Sequence, residues 1–135
     1  MTAEEYVKRI QRIDVIVHNK LYEHARWVGV AEGLNGASVG DRVQASRNLQ
    51  KIPDAIGKYI DIEGEIRALE LERQSIMQTI EKLPAIEYEV LYMFYVKDCS
   101  LKEIAYHFKR SYDWAKARKK KALQLLQDML DKKGG

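Results

Sequence analysis

The chain is poor in everything that staples, kinks or anchors a polypeptide. Of its 135 residues one is cysteine, Cys99, and two are proline, Pro53 and Pro84. A lone cysteine excludes an internal disulfide and leaves no cysteine cluster for zinc. The histidines, His18, His24 and His107, are too scattered to form a metal-ligand pattern. No apolar run approaches the ~20 residues that span a bilayer, and the amino terminus lacks the basic-then-apolar order of a secretion signal. These absences predict a soluble protein in a reducing, intracellular setting, with no metal, no cofactor and no membrane partner. A glycine-rich phosphate loop is missing too, and so is a nucleophile paired with a base. Cys99 and His107 fall in a compact stretch where capping and packing explain them, so an enzyme is not expected.

What the chain has in quantity is helix-compatible residues and charge. Hydrophobic residues make up 46% and charged residues 32%, enough for one domain, or a small domain beside a helical extension. The net charge of +3 conceals an asymmetry: residues 97–135 carry eleven Lys/Arg against five Asp/Glu, whereas residues 1–96 carry twelve against fifteen. The basic potential sits in the last third, as expected of a segment that meets a polyanion.

Thr2 is suited to cap a helix whose first turn holds Glu4 and Glu5. Apolar or large residues recur at Tyr6, Ile10, Ile13, Val17, Leu21, His24, Trp27 and Ala31, one face of a long amphipathic helix. Gly33, Asn35, Gly36 and Gly40 end it, and residues 33–50 are polar and without periodicity, which predicts a loop. Within that loop Asp41, Arg42 and Arg47 are candidate contacts, although a solvated loop is the plainer expectation. A second long helix is expected from near Pro53, with a seam at Tyr59, Ile62, Ile66, Leu69, Arg73, Ile76, Ile80 and Leu83. Two long helices joined by a loop fold back most simply as an antiparallel, coiled-coil-like hairpin. Such a pair leaves much of each stripe open, so a homodimer, or docking onto the carboxy-terminal part, is expected.

Pro84 separates the hairpin, residues 1–83, from a second domain, residues 84–135. A helix over 85–96 is expected to bury Ile86, Val90, Leu91, Phe94 and Tyr95. Ser100 and Glu103 have the spacing of a capping box for a helix over 101–108, which buries Leu101, Ile104, Ala105 and Phe108. Ser111 caps the last helix, about 112–130, whose inward residues are Ala115, Ala122, Leu123 and Leu126, with Trp114 at least partly buried. Helix, polar turn and basic helix is the layout of a helix-turn-helix, whose second helix enters the major groove of DNA. On the outward side of its first two turns, Tyr112, Asp113, Lys116 and Ala117 are the candidate base contacts. Lys116 suits guanine, Asp113 cytosine or a neighbouring side chain, and Tyr112 a thymine methyl or a phosphate. Lys109, Arg110, Ser111, Lys119 and Lys120 are the candidate phosphate contacts. The plain alternative is a solvated helix face that happens to be basic.

Leu83-Pro84, then Glu87-Tyr88-Glu89-Val90-Leu91, Ser100-Leu101-Lys102-Glu103-Ile104-Ala105, Ser111, and Lys121-Ala122-Leu123 with Leu126, resemble the region 4 domain of bacterial sigma factors. With the amino-terminal hairpin and the Gly-Asp-Arg-Val-Gln-Ala-Ser segment at 40–46, the layout is similar to sigma-like ArpU/RinA-type regulators of phages and prophages. The resemblance implies an all-α protein whose helix-turn-helix reads promoter DNA in the cytoplasm of a bacterial host cell and touches RNA polymerase. It places the family's base-contacting positions on Tyr112, Asp113, Lys116 and Ala117. Three residues depart from the family pattern: Lys109 stands in place of a turn glycine, Arg110 of a small apolar residue, and Arg118 of Ile or Val. Ala117 lacks a polar group, so base readout is expected to be modest. Two competing expectations remain open: a module that grips RNA polymerase or another protein without reading DNA, and a small DNA-packaging, terminase-like subunit.

Overall fold

The computed structural model describes residues 1–33 and 45–134, and of residues 45–50 and 134 only the backbone. These residues are helical apart from short turns, with no strand among them. Five helices follow in order: α1 Ala3–Ala31, α2 Ala45–Ile80, α3 Ala85–Leu91, α4 Leu101–Phe108 and α5 Tyr112–Gly134. The chain divides into two compact units, residues 14–71 and residues 1–13 with 72–135.

Local chemistry accounts for the helix ends. Thr2 Oγ1 accepts the Glu5 N–H at 3.1 Å and so caps α1. The helix ends at Ala31, and Gly33 takes the left-handed conformation, φ 73°, that glycine adopts without penalty. The glycines and charged residues at 36, 40, 41 and 42 lie outside the described residues. Helix α2 starts at Ala45, ahead of the start expected near Pro53, which lies inside it. The stretch 45–50 contains neither glycine nor proline, so no residue in it breaks a helix, and it lacks the apolar periodicity that would announce one. Helix α5 runs on to Gly134, beyond the expected end near Leu130.

In the unit of residues 14–71, α1 and α2 pair in opposite directions. Lys20 bonds Glu65, His24 Nε2 lies 2.9 Å from Glu63 Oε1, and the His24 ring meets Tyr59 edge-on. The expected seam on α2 is the half-buried side here, at Tyr59, Ile62, Ile66 and Leu69. Leu21, placed on the inner stripe of α1 by its spacing, is 53% exposed instead. It lines an open groove together with His24 of α1 and Ile60 and Arg67 of α2.

The other unit holds most of the core. The opening turns of α1 and the closing turns of α2 are antiparallel here too: Tyr6 Oη donates to Thr79 Oγ1 at 3.0 Å, and Arg9 bonds both carboxylate oxygens of Glu72. The guanidinium beside Glu72 holds that carboxyl below its ordinary range. Ala3, Val7, Ile10 and Ile13 from α1 and Ile76 and Ile80 from α2 are buried, and the Ala3 N–H donates to Gln127 Oε1 of α5 at 2.8 Å. The hairpin ends thus share one core with the carboxy-terminal helices. Each fully buried Ile or Leu contributes about 1.5–3 kcal/mol from burial.

Helix α3 continues into a π-helical turn, Tyr92–Val96, and a second turn leads to α4 through Asp98 at φ 59°. The wider turn swings Tyr95 inward, to 1% exposure, while Ile86, expected inside, is 42% exposed. Glu87 takes the inward position instead, at 4% exposure. Burial pushes the Tyr95 phenol well above its usual pKa, with nearby Glu4 adding to the shift, and its hydroxyl has no hydrogen-bond partner among the described residues.

A buried hydroxyl without a partner carries its desolvation cost uncompensated. Tyr95→Phe is therefore expected to leave stability unchanged or raise it by up to about 1 kcal/mol in urea unfolding. A loss larger than that would show that the hydroxyl is hydrogen-bonded. A second expectation concerns Lys109, which follows α4 at φ 56°. Lys109→Gly is expected to stabilise by about 1 kcal/mol, because glycine enters the left-handed region without a Cβ clash; unchanged stability would mean that lysine is not strained there.

Candidate nucleic-acid interface

The helix-turn-helix is built from three linked local devices. Ser100 Oγ accepts the Glu103 N–H at 3.1 Å while Glu103 Oε1 accepts the Ser100 N–H at 3.1 Å, the reciprocal box expected from the sequence. At the other end of α4 the Lys109 N–H donates to Tyr106 O at 3.1 Å and the Arg110 N–H to Ala105 O at 2.9 Å, a Schellman closure with lysine at the left-handed position. Ser111 Oγ then accepts the Trp114 N–H at 3.1 Å and starts α5. The turn between the helices is therefore hydrogen-bonded at both ends.

Packing orients the two helices. Val90, Met93, Ile104, Ala105 and Ala115 form a buried cluster, with Phe94, Cys99, Leu101, Phe108 and Trp114 packed against it. Ala115, Ala122 and Leu126 of α5 are fully buried and Leu123 half-buried. Cys99 is part of this packing.

Glu87 of α3 explains how the basic helix sits. Its Oε1 accepts Arg118 Nη1 at 2.9 Å and lies 3.8 Å from Lys121 Nζ. A carboxylate in an apolar interior needs such partners, since an unpaired buried charge is costly. Arg118 thus occupies the place of an aliphatic residue without loosening α5, because Glu87 takes its charge. Sequence reasoning missed Glu87, although a carboxylate three and four residues before Val90 and Leu91 falls on their face.

The candidate base contacts lie outward. Tyr112 is 53% exposed, and Asp113, Lys116 and Ala117 are exposed. Asp113, Lys116 and Ala117 line one shallow groove of about 440 Å³ together with Lys119, Lys120, Leu123 and Leu101 of α4. Tyr112 does not line it. Of the candidate phosphate contacts, Lys109, Arg110, Ser111 and Lys120 are exposed. Lys119 is half-buried, its Nζ 3.9 Å from the Phe94 ring centroid. Trp114 is half-buried, as expected, with its ring 5.2 Å from that of Phe108. One exposed side chain had not been singled out: Tyr106 of α4, 87% exposed, four residues after Lys102. Its place on the polar face of a short amphipathic helix is the signal that finds it. Among the described residues, no group of His, Cys, Asp and Glu side chains could hold a metal ion, and no helix is long and apolar enough to cross a membrane.

Residues 79–128, from the last turn of α2 into α5, match the family described as sigma-70, region 4. Comparison with curated proteins and with solved structures found no match. The family match supports a sigma region 4-like helix-turn-helix over these residues, and that family is one of DNA-binding domains.

Removing the Glu87 carboxylate would leave Arg118 half-buried without its counter-charge. Breaking buried ion pairs costs about 3–5 kcal/mol, and the one-third exposure of Arg118 reduces this, so Glu87→Ala is expected to destabilise by roughly 2–3 kcal/mol. Urea unfolding measures it; a loss under about 0.5 kcal/mol, the range of ordinary surface changes, would deny the pair a structural role.

Proposed function

We propose that the protein is a sequence-specific DNA-binding transcriptional regulator of phage or prophage type, working in the cytoplasm of a bacterial host and inserting α5 into the major groove of duplex DNA. The observation that carries this is the groove in which Asp113, Lys116 and Ala117 lie exposed beside Lys120, on a capped basic helix inside the sigma region 4 match. Tyr112, Asp113, Lys116 and Ala117 face the bases, and Lys109, Arg110, Ser111, Lys119 and Lys120 hold the phosphates. With alanine at 117, base discrimination rests mainly on Lys116 and Asp113, and phosphate contacts supply most of the affinity.

Residues 1–83 form the partner-binding part in this reading, and residues 84–135 the DNA-binding part. Exposed Leu21, Tyr22, Ile56, Ile60 and Leu71 favour an apolar contact made by the unit of residues 14–71, either with a second copy or with RNA polymerase. A dimer would present two copies of α5 and select a two-fold site. The same exposed residues favour the second reading, a polymerase-binding module without DNA readout.

Binding to random duplexes over a range of salt, with sequencing of the retained fraction, separates the two. Lys116→Ala is expected to cost about 1–3 kcal/mol on the enriched sequence and to relax its base preference. Lys120→Ala is expected to weaken binding on all sequences alike and to flatten the log–log salt slope by about 0.9. Lys119→Ala, held over Phe94, is expected to have a smaller effect than Lys120→Ala. Unchanged binding in all three variants would overturn the DNA reading, and capture of polymerase without DNA affinity would establish the second.

A further inference from the structure

One tryptophan lies between two guanidinium groups that have different fates. The Trp114 ring centroid is 5.8 Å from Arg110 Cζ and 5.5 Å from Arg118 Cζ, and Phe108 packs against the same ring. Arg118 is bonded to buried Glu87, so its charge is spent inside the protein. Arg110 is exposed and has no carboxylate partner among the described residues. Its backbone is nevertheless fixed, because its N–H donates to Ala105 O, and the Trp114 N–H is held by Ser111 Oγ. A cation with no carboxylate partner among the described residues, a pinned backbone and a guanidinium over an indole ring sits at the turn that leads into the basic helix.

We propose that Trp114 is a positioning residue that holds the Arg110 guanidinium ready for a backbone phosphate of duplex DNA. The proposal rests on the DNA-binding reading and deepens it. A free arginine side chain loses rotamer freedom when it binds, and a side chain already laid against an indole face loses less. A guanidinium held over a ring by its charge keeps N–H donors that point away from the ring, and these can grip a phosphate in pairs. Lysine would keep the charge at residue 110 but lacks the paired, planar N–H donors of a guanidinium. Trp114 itself touches no DNA in this arrangement and acts through Arg110.

The test is a double-mutant cycle on affinity for a short mixed-sequence duplex, measured at several salt concentrations on the full chain. Arg110→Ala is expected to weaken binding and to flatten the salt slope by about 0.9, one phosphate contact. Arg110→Lys is expected to weaken binding while keeping the slope. Trp114→Leu is expected to weaken binding about two- to tenfold in the native background, the span of one side-chain ordering cost, and to leave the slope unchanged. In the Arg110→Ala background the same Trp114→Leu change is expected to have no further effect. Equal losses in both backgrounds would overturn the proposal, because a merely structural tryptophan acts whether or not Arg110 is present. Helicity and thermal unfolding of each variant guard against misfolding, and Trp114→Phe, which keeps a smaller ring, serves if Trp114→Leu does not fold. With Phe at 114, an intermediate loss that vanishes without Arg110 supports the proposal, and an additive one overturns it. Wild-type protein that binds no duplex would overturn both this proposal and the DNA reading; wild-type binding with an additive cycle would overturn this proposal alone.

Discussion

The carboxylate of Glu87 is the constraint around which the carboxy-terminal helices are arranged. It lies on the buried side of α3, 4% exposed, and a carboxylate there needs cationic donors to offset its loss of water. Helix α5 supplies Arg118 and Lys121, three residues apart and so on one face. That requirement sets the rotation of α5 about its axis. At about 100° per residue, Lys116 and Lys120 each lie roughly 160° from Arg118 around the helix, on the far side from Glu87. Inward pairing of one part of the basic run thus turns another part outward, into the groove with Asp113 and Ala117.

The three residues at which this chain departs from the sigma region 4 pattern are connected through Trp114 and the turn. Arg118 bonds Glu87 and stacks on Trp114; Arg110 stacks on the same ring; Lys109 occupies the left-handed position that closes α4. Each is a liability alone: a charge in a core position, a charge in a turn, a Cβ where glycine is preferred. Hydrogen bonding of the turn at both ends and pairing of the interior charge offset them together. The match to the family covers residues 79–128, but the core of that unit also takes Ala3, Val7, Ile10 and Ile13 from α1. Two short helices against one longer one bury little apolar surface, and the added turns of α1 enlarge their core.

Much of this was legible in the sequence wherever one residue type does one local job. Ser100 with Glu103 announced the box that starts α4, Ser111 the cap of α5, and the 3–4 spacing from Tyr59 to Ile80 the inner side of α2. Two of the misses have a different cause, since each depends on a partner distant in the chain. Ile86 looked more apolar than Glu87, and only Arg118, thirty-one residues on, makes Glu87 the inward one. Leu21 continues the stripe of α1, but its burial depends on what α2 presents opposite. The π-helical turn that carries Tyr95 inward has no local signature in Tyr-Met-Phe-Tyr-Val. The start of α2 ahead of Pro53 went unread because a helix with no apolar stripe has no period to detect. For the candidate site, solvent exposure of Tyr112, Asp113, Lys116 and Ala117 followed from the wheel of α5; the division of labour among the cations did not.

That division changes what the basic run means. Counted along the chain, Lys116, Arg118, Lys119, Lys120 and Lys121 form one block of positive charge. In the fold, Arg118 bonds Glu87, Lys121 lies 3.8 Å from the same carboxylate but stays exposed, Lys119 lies over Phe94, and Lys116 and Lys120 line the groove with no carboxylate partner among the described residues. Since electrostatic affinity for DNA follows the number of phosphates neutralised, the effective charge of α5 is smaller than its composition, and the exposed turn cations Lys109 and Arg110 become a correspondingly larger share of it. A basic helix that was only a solvated face would have no reason to spend a cation on an interior carboxylate and keep two others together beside an aspartate. Helical periodicity sorts the run into Arg118, turned toward Glu87, and an outward pair in the groove, and it is this sorting, more than the number of lysines, that supports the proposed meeting with a polyanion over a merely solvated face.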